Sequence, residues 1–305
     1  MYMSIWQTNN WKKLLEKSKQ VEKVFVVSWI HIEKRKVNFW EYGLFAIGVE
    51  TQVLWDVKIL RDLQLLCKEE NCLFIQVESI DYLGKKDVQK EVRYWTQGYF
   101  KKFISPFTTC IDLKKSWEEI LSQMKPKGRY NIGLAQKKWV ECHVVEKSKE
   151  NITTFFQLFQ ETTSRDNFSG NTISYYENFL KMIPESELIL AFYNGNAIAW
   201  GIFVFQETAL YYYGASSWQE RSVMAPYIVQ WVAIEEAKKR GCSVYDFLWV
   251  AGPDEKHSPL EWVTDFKLKL SKDIQLVSQS IIYVHKKRKY FFIKLLKKLS
   301  KFRKK

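Results

Sequence analysis

The stretch SELILAFYNGNAIAWGIFVFQETALYYYGAS, residues 186–216, decides the fold. Apolar residues dominate three successive runs of strand length. Asn194-Gly195 joins the first two as a tight hairpin turn. Downstream, residues 225–240 carry a helical pattern that stops at Gly241. CSVYDFLWV then reads as a further strand. VTDFKLKLSKD, residues 263–273, alternates Phe266, Leu268 and Leu270 against Lys267 and Lys269, which predicts another. Upstream, TTCIDL from Thr108 is strand-like. Ser116 opens a helix with Glu119 at the capping-box position. Residues 151–164 and 174–182 are helical in period.

The first 105 residues give a smaller version of this order. A helix over 11–19 is followed by strands over 21–32 and 37–48, with a turn at 33–36. A helix over 57–69 and a strand over 71–79 complete it. Antiparallel strands, one crossover helix and a further strand are the core of the N-acyltransferase (GNAT) fold, which this order resembles. The fold class expected is α/β of the α+β type. It has two GNAT-like domains, residues 1–105 and 106–273, each a mixed central sheet flanked by helices. Residues 274–305 are a candidate to complete the first.

Charge is concentrated at one end. Residues 286–305, KKRKYFFIKLLKKLSKFRKK, hold eleven Lys and Arg and no acid. Removing these eleven from the 47 basic residues leaves 36 against 34 acidic ones, so the body is near neutral. Tyr290, Phe291, Leu295, Leu296, Leu299 and Phe302 recur at helical spacing. The segment reads as a basic amphipathic helix. It suits a helix packed on the body, an anionic membrane surface, or nucleic-acid phosphate. Lys286, Lys287, Arg288 and Lys289 are its first candidate contacts. Five scattered cysteines without CxxC, and no secretory signal at MYMSIWQTNN, point to a reducing cytoplasm. No apolar run is long enough to span a bilayer.

Several chemistries are excluded. The four histidines are scattered and HExxH is absent, so no metal is expected. GxSxG, GxxxxGK[ST] and GxGxxG do not occur. Before the long helix the chain reads SVMAPYIVQW. It has no glycine, and Pro226 removes a backbone donor, which disfavours a pyrophosphate cradle and thus acetyl-CoA. No cofactor is expected.

Four blocks remain. MKPKGRYNIGLAQKKWVECHVV, residues 124–145, gathers Lys125, Lys127, Arg129, Lys137 and Lys138. TTSRDNF, residues 162–168, places Arg165 at a helix end. YYYGASSWQERSVMAPYIVQW, residues 211–231, sets three tyrosines before a Pro-started helix, a suitable cleft wall. The fourth is TDFK, ending at Lys267.

Together, in this order, the blocks resemble the FemABX family of peptidoglycan-bridge aminoacyltransferases. The likeness is strongest from Thr108 to Asp273 and weaker over 1–105, where Trp6, Gln7 and Trp11 look like the family's opening. The resemblance implies transfer of an amino acid from aminoacyl-tRNA to the stem-peptide amine of a UDP- or lipid-linked peptidoglycan precursor. It implies that Lys267 and Phe266 face the reacting ester and that Arg165 binds the precursor diphosphate. Lys13 and Lys17 compete for a second phosphate contact. Tyr211, Tyr212 and Tyr213 would line the peptide cleft, and Asp246 would order the adjacent strand. WEYGLF, residues 40–45, keeps only Gly43 of a turn common in the family, and no long two-helix arm is present. The basic helix is then a candidate for holding a cytoplasmic enzyme near the membrane or against tRNA. The alternatives are an N-acyltransferase with another donor or acceptor, acting on polysaccharide or lipid, and a non-catalytic membrane- or RNA-binding module.

Overall fold

The structure, a computed structural model, describes residues 4–82, 94–166, 170–255 and 258–302. The side chains of Arg165, Asp166, Lys298, Ser300, Lys301 and Phe302 also lie outside the described set. The chain forms two compact units, Met1–Pro106 with Leu276–Lys305, and Phe107–Gln275.

Unit 1 begins with α1 (Asn9–Lys17), whose N-cap Thr8 accepts a bond from the Trp11 amide at 3.2 Å. Trp11, Leu14 and Leu15 form its buried stripe. Strands β1 (Lys23–Val27) and β2 (Ile30–Lys36) form a tight hairpin, followed by β3 (Tyr42–Glu50). The single strand expected over 21–32 is therefore two. Ser28 takes a left-handed φ of 58° and reverses the chain, so residues 33–36 are strand rather than turn. Helix α2 (Val57–Glu69) crosses over to β4 (Phe74–Ile80), parallel to β3. The β3–β4 pairing runs from Leu44↔Ile75 to Glu50↔Ile80, so this parallel pair stays closed to its end. Strand β5 (Trp95–Gln97) follows. Glu78, fully buried on β4, accepts bonds from the Phe103 and Ile104 amides. It thereby clamps the loop that leaves the unit.

Unit 2 runs through β6 (Phe107–Asp112), α3 (Trp117–Gln123), α4 (Pro126–Lys137), β7 (Glu141–Val145), α5 (Lys149–Asp166) and α6 (Ile173–Met182). Ser116 and Glu119 form the expected capping box on α3. Arg129 of α4 donates to the Leu121 and Met124 carbonyls, capping the end of α3. Strands β8 (Ser186–Tyr193), β9 (Asn196–Phe205) and β10 (Thr208–Ser216) form the antiparallel meander read from the sequence. Helix α7 (Ala225–Lys239) crosses over to β11 (Val244–Asp246), parallel to β10. Helix α8 (Glu261–Lys267) and β12 (Ile274–Leu276) close the unit. The sheet order is β12-β6-β11-β10-β9-β8-β7. Phe203, Val229, Ala233 and Ile234 share the core between sheet and α7. Trp200, three residues earlier on the strand than Phe203, packs on Phe155 and Phe159 of α5 on the other face.

The chain then returns to unit 1. Strand β13 (Ser280–Val284) inserts between β4 and β5, giving the order β1-β2-β3-β4-β13-β5. Helix α9 (Lys287–Phe302) follows. Both units are thus mixed sheets flanked by helices, the GNAT-like α/β class.

Two glycines of α4 test the packing. A Cβ on Gly128 would lie 2.0 Å from the Lys269 carbonyl oxygen, whereas one on Gly133 meets nothing within 4 Å. Gly128→Ala should cost about 1–3 kcal/mol of stability through overpacking. Gly133→Ala should gain about 0.5–1 kcal/mol from its better helix propensity. Denaturant titration of both variants checks the contrast.

Candidate functional site

Strands β10 and β11 pair only from Thr208↔Val244 to Leu210↔Asp246. Beyond that point β10 continues to Ser216 beside β9 alone, and the chain after Asp246 turns away. Diverging parallel strands leave a crevice at their carboxyl ends, the usual ligand position in open α/β sheets. The side chains gathered here are the candidate site.

A bulge in β10 distributes its tyrosines. Tyr211 pairs with Phe203 and Tyr213 with Ile202, so Tyr212 is the extra residue. Tyr211 stacks on Phe203, on the α7 face. Tyr212 and Tyr213 pack on Phe179 of α6, and the Tyr213 hydroxyl meets that of Tyr175 at 3.3 Å. The three tyrosines do not form one wall. Only Tyr211 faces the crevice side. Its hydroxyl lies over Gly214, where a Cβ would stand 2.1 Å away.

Lys267 is the last residue of α8, not a strand residue. The expected alternation over 263–273 fails because the inward stripe of this segment is polar. Thr264, Lys267, Leu270 and Ser271 are its buried positions, at helical spacing. Thr264 Oγ1 donates to the Leu260 carbonyl and accepts from the Ala251 amide at 2.8 Å. Phe266 is half-buried, edge-on to Tyr227 of α7 at 5.0 Å. The strand reading put Lys267 and Lys269 on one solvated face. The helix instead buries Lys267 to 4% exposure and leaves Lys269 half-buried.

The Lys267 Nζ donates to the Leu248 carbonyl at 2.5 Å and the Trp249 carbonyl at 3.0 Å. It lies 5.5 Å from the centre of the Tyr211 ring. Both carbonyl-bearing residues are left-handed, with φ of 50° and 38°, and this ends β11 earlier than CSVYDFLWV suggests. Asp246 supports the turn. Its fully buried carboxylate accepts from the Leu248 amide at 2.7 Å and from the Thr108 hydroxyl, and bonds the Cys110 thiol. Burial pushes the Lys267 amine down to about 7, partly opposed by the Asp246 charge. Both protonation states are therefore accessible near neutral pH, which suits proton transfer or charge stabilisation.

The other sequence candidates fall elsewhere. Arg165 is in the last turn of α5, with its side chain outside the described residues; Thr162–Asp166 of TTSRDNF are helical, and Asn167 and Phe168 lie outside the described residues. Lys13 and Lys17 are both exposed on α1 of unit 1. Lys286 and Lys289 close on Glu41 in unit 1, while Lys287 and Arg288 are exposed. The supporting trio of Thr108, Leu248 and Trp249 was not singled out from sequence. The one available signal was a carboxylate inside the apolar run VYDFLWV. Among the described residues, no group of three His, Cys, Asp or Glu is placed to hold a metal.

These features define a two-unit protein of N-acyltransferase-like fold, with a buried amine where the parallel strands of unit 2 part. The model of the FemAB family matches residues 90–199 and 196–298, and the chain belongs to that family. Its fold is similar to the crystal structure of FemX, with a TM-score of 0.80 at 15% identity over 95% of this chain and 94% of that one. It is also similar to the L-PGS of Bacillus licheniformis, with a TM-score of 0.58 at 10% identity over 98% of each chain. A Lipid II:glycine glycyltransferase of Staphylococcus aureus is 33% identical over 91 residues, which are 29% of this chain and 21% of that protein. The match thus spans about a fifth of that relative.

The depressed amine has a thermodynamic signature. The unfolded chain binds the Lys267 proton below the ordinary lysine value of 10.5, and the folded chain only below about 7. Between these values the unfolded state holds more protons, so folding weakens as pH falls. Lys267→Met removes this linkage. Its stability relative to the wild type should rise from pH 10 to pH 7 and level off below. Parallel melting curves across that range check it, and a pH-independent difference would refute the buried-amine assignment.

Proposed function

We propose that this chain is an aminoacyltransferase. It would move an amino acid from aminoacyl-tRNA to the stem-peptide amine of a UDP- or lipid-linked peptidoglycan precursor. The observation that carries this reading is Lys267, buried where β10 and β11 part, in a chain of the FemAB family. The glycyltransferase relative, named for lipid II and glycine, supports the substrate class.

In the proposed step, the acceptor nitrogen attacks the ester carbonyl, forming the C–N bond. The C–O bond to the tRNA ribose breaks, and the proton lost by nitrogen passes to that leaving oxygen. Charge develops on the carbonyl oxygen in between. The Lys267 ammonium would offset it in a low-dielectric setting, where a preorganised donor is worth most. Phe266 would wall the ester side. Arg165 would take the precursor diphosphate, a task suited to a planar fork of donors. Tyr211 would border the peptide. Asp246 would act as a positioning residue, holding the turn whose carbonyls hold Lys267. No helix among the described residues is long and apolar enough to cross a membrane. A lipid-linked acceptor would therefore be met from a peripheral position.

The test supplies charged tRNA and precursor and follows the labelled amino acid into the precursor. RNase should abolish transfer. Lys267→Met should lower kcat by about 100- to 1000-fold, the cost of removing one oxyanion donor. Transfer that survives RNase points to another acyl donor. Wild-type turnover by Lys267→Met removes Lys267 from the chemistry. No turnover with any acceptor leaves a binding module.

A further inference from the structure

Helix α9 carries the apolar stripe that the sequence offered to the protein body, an anionic membrane or nucleic acid, and among the described side chains it buries only Tyr290 of that stripe. Its inward face is Tyr290 and Ile293, with Tyr290 against Phe74 and Phe100 and the Lys297 Nζ 3.7 Å above the Phe100 ring. Phe291, Phe292, Leu295, Leu296 and Leu299 stay exposed, from 49% at Leu296 to 64% at Phe291. At 100° per residue these five span an arc of about 140°. By sequence position, Lys287, Lys294, Lys298 and Lys301 flank one edge of the arc and Lys289 the other.

A second apolar element adjoins the Lys289 edge. The turn between β2 and β3 carries Phe39 and Trp40, 84% and 86% exposed. The turn is built, not loose. The Asn38 side chain accepts from the Trp40 and Glu41 amides at 2.9 and 2.8 Å, and the Val37 amide closes on the Glu41 carbonyl. Glu41 then binds Lys286 at 3.0 Å and also Lys289, tying the tip to the first turn of α9. Burial alone would push the Glu41 carboxyl up, but the two ammonium partners outweigh it and hold it below its ordinary value.

We propose that this surface of unit 1 docks on an anionic lipid bilayer, with the exposed arc of α9 and the Phe39–Trp40 tip entering the headgroup region. An apolar arc flanked by lysines is the pattern of an interfacial helix, and exposed Trp and Phe side chains favour the membrane interface. The eleven cations and absent acids of residues 286–305 match the negative potential of such a membrane. Nucleic acid would satisfy the cations but offers no burial for five apolar side chains. The inference concerns unit 1 alone and stands whether or not unit 2 transfers an aminoacyl group.

Vesicle co-sedimentation of the full chain, without substrates, tests it. Binding should be strong to vesicles containing phosphatidylglycerol and weak to phosphatidylcholine alone. The double variant Phe292→Gln, Leu296→Gln should bind about tenfold more weakly or worse, and Trp40→Ala several-fold more weakly, from the lost apolar burial. All three positions are exposed, so melting temperatures should be unchanged. Failure to bind the anionic vesicles, or variants that bind like the wild type, would overturn the proposal. So would a wild-type dimer that the double variant turns into a monomer, since a second copy would then cover the arc. A tRNA mobility shift weakened by the same double variant would overturn it in favour of RNA.

Discussion

An amine buried to 4% exposure must find acceptors, and much of unit 2 around the crevice follows from how Lys267 finds them. Stripping water from a charged group is costly unless hydrogen bonds replace it. Here the replacements are two backbone carbonyls, which consecutive left-handed residues, Leu248 and Trp249, present together. Non-glycine residues enter that region only at a cost, so something must hold them there. Asp246 does so through the Leu248 amide, and is itself held by Thr108 on the neighbouring strand. The early end of β11, the crevice beside β10 and the place of α8 belong to one arrangement.

The two units make this clearer by contrast. Each has a parallel strand pair joined by a crossover helix. In unit 1, β3 and β4 remain paired to their last residues, and the irregularity between Ile47 and Val49 is absorbed at Gly48, with φ of 69°. In unit 2 the equivalent pair separates after Leu210 and Asp246. The bulge at Tyr212 then turns Tyr211 toward α7 and its neighbours toward α6. One architecture gives a closed sheet in one unit and an open one in the other.

Much of the fold was legible because its signals are local. Asn194-Gly195, the Ser116 capping box and the Gly241 stop each act over a few residues, and each stands where expected. The site was less legible. Its helix α8 turns Thr264 and Lys267 inward, so a reading by hydrophobic period followed Phe266, Leu268 and Leu270 and found a strand. The hairpin at Ser28 and the bulge at Tyr212 were missed for a related reason. Neither position carries the glycine or asparagine that usually marks such a turn. Lys267 itself was reached through the FemABX resemblance. Its buried partners are backbone atoms contributed from another part of the chain, which no side-chain pattern encodes. The tail's amphipathic character was readable, but which of its faces meets the protein depends on Phe74 and Phe100, far away in sequence.

The position of β13 has a consequence for biosynthesis. It is the strand that joins β5 to β4, yet it follows the whole of unit 2 in the chain. Domains commonly fold in the order in which the ribosome makes them. Here the chain order cuts across the units. Phe107–Gln275 contains its own sheet core, and all of it precedes residues 280–284 in the chain. Until that strand pairs, β4 has an open edge and, among the described residues, β5 has no neighbour, although both precede it in the chain. Unit 1 is therefore completed only by a strand that lies beyond all of unit 2 in the chain.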